Sequence, residues 1–228
     1  MRIKRFFLHI LAVLMPLPCL TQHVEPSAVY TDETGNVIET HDEIKGQAPL
    51  IVNFHANPTD MEEFNPAYEW HFRQEGEDKE LMVRYEEDTE YTFTTAGTTY
   101  VTLIVRLDGM ETIESDPISV TISESKLTFP NAFSPNGDDK NPTFKPKECQ
   151  SIVEFHAYIF NRWGQKLYEW TDPNAEGWDG TYNGKDVREG TYYILVKAKG
   201  ADGREYNIRK DVNLIRSRNI VSENNNNE

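Results

Sequence analysis

The sequence predicts an all-β protein built from two tandem antiparallel β-sandwiches. Apolar and polar residues alternate through many short segments, turn residues separate these segments, and no stretch has a convincing helical period. A period of two places one set of side chains inward and the other toward solvent. The 228 residues suffice for two domains of ordinary size.

The alternation is clearest in the first half of the chain. Four segments there are predicted to be strands, with turn pairs such as Asn57-Pro58 and Asp108-Gly109 between them. The residues predicted to face the core are Leu50, Val52, Phe54 and Ala56; Tyr68, Trp70 and Phe72; Val101, Leu103 and Val105; and Ile118, Val120 and Ile122.

The second half shows the same pattern after a change in character near Lys126, where we place the domain boundary. Asparagine–glycine and aspartate–glycine pairs supply its turns. The residues predicted to face the core are Val153, Phe155, Ala157 and Ile159; Tyr192, Ile194, Val196 and Ala198; and Val212 and Leu214.

The two ends of the chain differ from the domains. Residues 1–21 combine a basic start with an apolar run too short to span a bilayer, which is typical of a secretory signal peptide. Cleavage after Thr21 is predicted, with lipidation at Cys19 or a buried N-terminal helix as alternatives. Residues 22–45 are predicted to be an extended segment. The polar tail, residues 217–228, is predicted to be disordered.

The net charge limits the class of partner, and the cysteine content limits how the fold is stabilised. The formal charge is −15, and loss of Arg2, Lys4 and Arg5 with the signal peptide would make it −18. Such a surface repels nucleic acid, so no nucleic-acid partner is expected. Cys149 would be the single remaining cysteine, so the fold is expected to depend on its core and to contain no internal disulfide.

The first domain resembles the PKD (polycystic kidney disease) domain family. The resemblance rests on residues 48–58 (APLIVNFHANP), 68–72 (YEWHF), 91–97 (YTFTTAG) and 100–105 (YVTLIV). It implies an immunoglobulin-like sandwich over residues 46–125 that serves as a spacer or interaction module. The acidic, glycine-rich turn usual near the family's tryptophan strand is replaced here by residues 73–76 (RQEG).

The second domain resembles the gliding-motility-associated C-terminal domain of Bacteroidota, a type B sorting signal of the type IX secretion system. Four motifs stand in the family's order: residues 129–138 (FPNAFSPNGD), 159–164 (IFNRWG), 178–180 (WDG) and 190–193 (GTYY). The resemblance implies a second immunoglobulin-like sandwich over residues 126–216. It also implies presentation of this domain to an outer-membrane translocon.

The signature residues have structural roles as well as possible recognition roles. Prolines hold an extended entry, glycines make turns, and the Trp163 indole is predicted to be a packing anchor. The signature set is Phe129, Pro130, Asn131, Phe133, Pro135, Asn136, Gly137, Asp138, Arg162, Trp163, Gly164, Trp178, Asp179, Gly180, Gly190 and Tyr192.

The first motif departs from the family at its end. Residues 138–142 read DDKNP, where the family usually has a glycine and a final aspartate. The oxygen donors Asp138, Asp139 and Asn141 remain candidate calcium ligands, and the alternative is a solvated acidic turn.

No catalytic pattern is found in the sequence. The histidines lack zinc-site spacing, and there is no phosphate loop and no nucleophile elbow, so neither an enzyme nor a cofactor is predicted. His55 and His71 are predicted to face outward as a solvent-facing pair that lies opposite one another across strands.

Together these features predict a non-catalytic exported cell-envelope protein at the cell surface or outer membrane, with the periplasm and the medium as alternatives. The expected partners are proteins of the type IX secretion system or other outer-membrane proteins. The alternative functions are an accessory subunit of an outer-membrane complex and a carbohydrate-binding module that recognises surface glycans.

Overall fold

The computed structural model describes residues 22–109 and 112–216, and nearly all of its regular structure is β-strand. The predicted signal peptide and polar tail lie outside these residues. The first domain contains β1 (His23–Val24), β2 (Ser27–Thr31), β3 (Val37–Thr40), β4 (Glu43–Gly46), β5 (Leu50–His55), β6 (Pro58–Thr59), a 3₁₀ turn (Glu62–Phe64), β7 (Ala67–Gln74), β8 (Met82–Arg84), β9 (Thr89–Phe93), β10 (Gly97–Arg106), β11 (Ile113–Glu114) and β12 (Ile118–Ile122).

Two sheets form the first sandwich. One has the strand order β4-β12-β10-β7-β8, with β11 also paired to β10, and the other has the order β3-β2-β5-β9. All pairings are antiparallel except β4 with β12, which run parallel. This arrangement is an immunoglobulin-like sandwich, as predicted.

The core of the first sandwich consists of the alternating residues that the sequence identified. Every residue predicted to face inward in this domain is buried. Phe54 lies at its centre, with ring centroids 5.6 Å from Trp70 and 5.7 Å from Phe72. Trp70 and Phe72 are fully buried, and the Trp70 Nε1 donates to the Glu87 carbonyl at 3.1 Å. Aromatic packing of this kind stabilises a core that lacks disulfides.

Residues 22–45 belong to this sandwich, so its predicted start at Gly46 is corrected to His23. Strand β2 pairs with β5 and β3, and β4 covers the edge of the other sheet beside β12. Ala28 and Ile44 from this segment are fully buried. Its strands are short and show little alternation of apolar and polar residues, so the sequence predicts only an extended segment here.

The second domain contains β13 (Lys126–Thr128), β14 (Ala132–Phe133), β15 (Glu148–Gln150), β16 (Ile152–Phe160), β17 (Lys166–Trp170), β18 (Thr181–Tyr182), β19 (Lys185–Asp186), β20 (Gly190–Gly200) and β21 (Glu205–Leu214). Its main sheet has the order β14-β21-β20-β16-β17. Strand β14 runs parallel to β21, and the other pairs are antiparallel.

Shorter pieces cover the inner face of this main sheet. They are the pairs β13–β15 and β18–β19 and a bridge between Phe144 and Trp178. Leu127, Phe129, Phe144 and Trp178 from these pieces join the residues of the main sheet in one buried cluster. The second domain is therefore also a β-sandwich, with one large layer and one fragmented layer.

One predicted core residue of the second domain faces elsewhere. The register of β16 against β20 shifts between Ile152 and Glu154. The irregularity buries Ile152 in the second core, while Val153 packs against the core of the first domain. A β-bulge of this kind reverses the side-chain alternation locally, which a simple period of two cannot anticipate.

The two domains meet in a joint made of backbone and serine contacts. Ala201, in the β20–β21 turn, is buried in the core of the first domain, and its carbonyl accepts from the Ala96 N–H at 3.0 Å. The Ser151 hydroxyl accepts from the Ala48 N–H at 3.2 Å and lies 2.8 Å from the Ser123 hydroxyl. Ser151 itself is almost completely buried. The second domain thus completes part of the first core.

The remaining sequence expectations concern Cys149 and membrane insertion. Cys149 is half-buried against the second core, and burial raises the pKa of its thiol, with a smaller contribution from Asp172. Across the described residues, no helix has the length and apolar character needed to cross a bilayer.

Candidate functional site

Several signature residues of the second domain are core residues. Trp178 is fully buried, with its ring centroid 5.3 Å from Phe133 and 5.0 Å from Tyr192. Its Nε1 donates to the Thr181 carbonyl at 2.8 Å. Phe129, Phe133 and Tyr192 are buried as well. These four side chains belong to the core of the second sandwich.

Other signature residues shape turns. The Asp179 carboxylate accepts from the Thr181 N–H at 2.9 Å and from the Thr181 hydroxyl at 2.8 Å. Gly180 has a φ of 82°, and a Cβ there would lie 2.8 Å from a Leu214 methyl group. A larger residue would therefore strain the backbone and collide with the core. The Tyr192 hydroxyl donates to the Arg188 carbonyl at 2.7 Å and fixes the start of β20.

Trp163 is the exception, because 81% of its surface is exposed. The prediction that its indole is a packing anchor is wrong. The residue lies in the tight turn that joins β16 to β17, beyond the end of the sheet, where no core exists to receive it. The guanidinium carbon of Arg162 lies 5.6 Å from the centroid of the Trp163 ring, so the two side chains form an exposed cation–π pair.

The turn that carries this pair is firmly built. The Asn161 side-chain oxygen accepts from the N–H groups of Trp163 and Gln165, both at 3.0 Å. The backbone closes the turn twice, from Gly164 N–H to the Asn161 carbonyl and from Asn161 N–H to the Gln165 carbonyl. Gly164 supplies the positive φ of 80° that the turn needs. We call residues 161–165 the tryptophan turn.

A row of rings on the outer face of β16 was not identified as a feature by the sequence. His156, Tyr158 and Phe160 stand along one strand, with centroid separations of 4.4 Å and 6.1 Å. The Lys166 ammonium lies 5.7 Å from the centroid of the Tyr158 ring. Because the rings of His156 and Tyr158 stack on each other, those faces are covered and cannot stack on a sugar ring. The row therefore does not favour the carbohydrate-binding alternative.

The candidate calcium ligands lie in a turn whose residues form hydrogen bonds with one another. An Asp138 carboxylate oxygen accepts from the Lys140 N–H at 2.9 Å, and the other accepts from the Asn136 side-chain amide at 2.9 Å. Asp139 and Asn141 have positive φ angles of 60° and 51°. No group of three or more histidine, cysteine or acidic side chains suited to a metal is found within residues 22–109 and 112–216. The calcium site stays a prediction.

His55 and His71 pair with acids and not with each other. His55 lies on β5 and its ring is 2.8 Å from Asp88, whereas His71 lies on β7, in the other sheet, 2.6 Å from Glu80 and 3.2 Å from Glu69. The prediction that His55 and His71 face each other across strands is therefore wrong.

Glu69 is the most strongly perturbed acid of this group. Arg106 donates two hydrogen bonds to its carboxylate, at 2.9 Å and 3.0 Å. These bonds, with a smaller contribution from His71, lower the pKa of Glu69 to about 2 despite the opposing effect of burial. The Glu69–Arg106 pair stays charged at neutral pH and has the geometry of a structural ion pair.

Several solved structures are similar to this chain. They include fibronectin(III)-like modules of Clostridium thermocellum CbhA (16% identity, 76% of this chain and 87% of that chain, TM-score 0.24). A tetra-tandem repeat in the extending region of a large adhesion protein is 10% identical (87% and 68%, TM-score 0.27). Dimeric latent PorU from Porphyromonas gingivalis is 11% identical (84% and 20%, TM-score 0.24). At these TM-scores none carries an argument about function.

A comparison with curated proteins gives no match to the chain. A comparison with family models matches residues 127–210 to the CHU_C Type IX secretion signal domain. The matched span holds all four sequence motifs and begins one residue after the predicted boundary, and such a domain implies an exported protein. The resemblance predicted from the motifs is therefore confirmed, with a type IX secretion signal domain following an immunoglobulin-like sandwich in this chain.

Proposed function

We propose that this protein is a non-catalytic component of the cell envelope whose second domain acts as a type IX sorting or anchoring module. The single observation that carries the proposal is the family match over residues 127–210. The first sandwich then serves as a spacer or adhesion module on the outer face of the cell. The expected partners are type IX secretion proteins or other outer-membrane proteins.

The tryptophan turn is the strongest candidate contact with the sorting machinery. Tryptophan and arginine dominate binding energy in protein interfaces, and here both stand together on a rigid turn. Little backbone freedom would be lost on binding, because the hydrogen bonds to Asn161 already fix the turn. The other four aromatic signature residues are all buried, so the exposed indole is the one that a partner can reach.

The test is protease shaving of intact cells that produce the full chain, followed by immunoblotting for both domains. We expect the wild-type protein to be degraded, and removal of residues 126–228 to leave the first domain protected inside the cell. Trp163→Ala should reduce the amount of protein displayed on the cell surface. Tyr85→Ala, which removes a similarly exposed aromatic side chain from the first domain, should not. Unchanged surface display after removal of residues 126–228 would refute the sorting role.

The outer face of the main sheet favours a second candidate, an accessory subunit of an outer-membrane complex. Phe160 and Tyr193 are directly opposite each other on β16 and β20, and Tyr193 is 47% exposed. An apolar surface of this kind suits a permanent protein neighbour. Stable co-purification of the full chain with outer-membrane proteins, together with protection from shaving, would make this the better description.

A further inference from the structure

A groove in the second domain combines apolar walls with unpaired lysines. It has a volume of about 730 Å³ and lies between residues 129–132 and residues 141–147. Its lining residues are Phe129, Pro130, Asn131, Ala132, Asn141, Pro142, Thr143, Lys145, Pro146 and Lys147. We call it the proline–lysine groove.

The two segments that form the groove are joined by a backbone hydrogen bond at each end, and buried aromatic rings lie beneath them. The Ser134 N–H donates to the Asn141 carbonyl at one end, and the Lys147 N–H donates to the Thr128 carbonyl at the other, both at 2.8 Å. Between these ties, the buried Phe144 ring stacks on Phe129 with centroids 5.6 Å apart. The groove is therefore part of the folded framework.

Glycine at position 177 allows the lysine-bearing wall to lie where it does. Phe144 and Trp178 exchange backbone hydrogen bonds at 2.8 Å and 3.0 Å, which brings the wall against Gly177. A Cβ at Gly177 would lie 2.3 Å from the Phe144 carbonyl oxygen, closer than any real side chain could approach. The position of the wall thus depends on a backbone contact that only glycine permits.

The charge of the groove is opposite to that of the protein. The chain carries −15 overall, yet residues 140–147 contain three lysines and no acid. Lys145 and Lys147 are exposed, and neither belongs to an ion pair formed by the described residues. The nearest acid along the chain, Glu148, is bound instead to Lys126 at 2.8 Å and to the Thr128 hydroxyl at 2.9 Å.

The backbone of β14 adds directional binding groups. Asn131 and Phe133 direct their carbonyls toward β21, where they accept from Asn213 and Ile215. Because successive residues of a strand point their backbone groups in opposite directions, the N–H and C=O of Ala132 face away from β21. Ser134 is two residues after Ala132 and therefore points its backbone groups in the same direction, and its N–H donates to the Asn141 carbonyl across the groove. The Ala132 groups therefore face the groove.

From these features we propose that the proline–lysine groove binds a short, extended acidic segment of a partner protein. Lys145 and Lys147 both line the groove and are exposed, so two ammonium groups are available to the carboxylates of a bound peptide. Carboxylates at alternate positions of an extended peptide lie on one face of that peptide and can reach both ammonium groups. The edge groups of Ala132 pair with the peptide backbone, a mode used by peptide-binding sheet edges. This binding does not depend on the sorting role.

The test is fluorescence anisotropy of the full chain with a labelled peptide of three glutamate–threonine repeats at low salt. We expect saturable binding, although the protein's net charge repels such a peptide. The double variant Lys145→Gln/Lys147→Gln should bind at least about tenfold more weakly, since it loses two charge-assisted bonds. The matched control, Lys79→Gln/Lys185→Gln, removes two exposed lysines elsewhere and should bind like the wild type.

Three further arms identify the kind of ligand. A peptide with glutamine in place of glutamate, and a peptide N-methylated at alternate residues, should each bind at least about tenfold more weakly if charge and backbone pairing both contribute. Inorganic phosphate at equal charge should not displace the peptide. The proposal is overturned if the wild type shows no saturable binding, if the double variant binds equally, or if either altered peptide or phosphate competes as well as the original.

Discussion

Both domains pair an early strand in parallel with their last strand, β4 with β12 in the first and β14 with β21 in the second. They differ in how the rest of the sandwich is built. The first has two continuous sheets, and its core tryptophan, Trp70, lies on a strand inside. The second has one continuous sheet covered by fragments, with Trp178 inside and Trp163 outside. A fragmented layer leaves loops and grooves where side chains can serve binding.

The largest expected effect is at Trp70 and Trp178, the two tryptophans of the described residues that are fully buried. Replacing Trp178 by alanine should lower the free energy of unfolding by about 3–5 kcal/mol, because it opens a large cavity in the second core. Trp70→Ala should cost a similar amount in the first domain. Urea denaturation followed by circular dichroism measures both. A loss below about 1 kcal/mol for Trp178→Ala would show that the fragmented layer does not need its tryptophan.

The next effect concerns the joint between the domains. Ala201→Arg places a charged side chain in the first core and should destabilise the protein by about 1–3 kcal/mol. It should also split a single thermal unfolding transition into two, because the shared contact is lost. Glu205→Arg, an exposed change a few residues away, is the control for the added charge. Calorimetry that finds two transitions already in the wild type would contradict a cooperative joint.

A smaller effect is expected from the ion pair on the first domain. The pKa of Glu69 is about 2 in the folded protein, below its ordinary 4.5, so its pairing stabilises the fold above pH 4.5 and is lost as the pH falls toward 2. Glu69→Gln should cost about 1 kcal/mol at pH 7 and reduce the loss of stability on acidification. Urea midpoints at pH 7 and pH 3 test this, with Glu90→Gln as control. Equal acid sensitivity in both variants would exclude this role.

The smallest effect on stability is expected at the tryptophan turn. Trp163→Ala should change the free energy of unfolding by no more than about 0.5 kcal/mol, since the indole contacts little of the protein. The same urea experiment separates this residue from Trp178, although both belong to the family motifs. A loss of several kcal/mol would mean that the indole packs against the domain and is unavailable to a partner.

The sequence predicts correctly those strands in which apolar and polar residues alternate regularly and one face is buried. The sequence identifies every buried apolar residue of β5, β7, β10 and β12, because one face of each strand is buried. Residues 22–45 were missed as part of the sandwich, since two-to-five-residue strands give no clear alternation. Val153 was misplaced because a bulge shifts the period by one residue.

The candidate sites were less accessible to sequence reasoning. A motif that contains Trp163-Gly164 indicates a turn, but it does not say whether the indole folds back onto the core or points away. The proline–lysine groove depends on two segments that are separated by eight residues, and only the tertiary structure brings them together. The lysine run at residues 140–147 was the signal available in an otherwise acidic chain, yet it gains meaning only from the adjacent edge strand.

The joint also sets an order of events during biosynthesis. The first domain leaves the ribosome before the second, and domains generally fold in that order. Its core, however, includes Ala201, and the Ala48 and Ala96 N–H groups find their partners on Ser151 and Ala201. The first domain therefore stays incomplete at one end until the β20–β21 hairpin has formed. A chain that ends before residue 201 would leave the Ala96 N–H without this partner and would lack the Ala201 side chain in the first core.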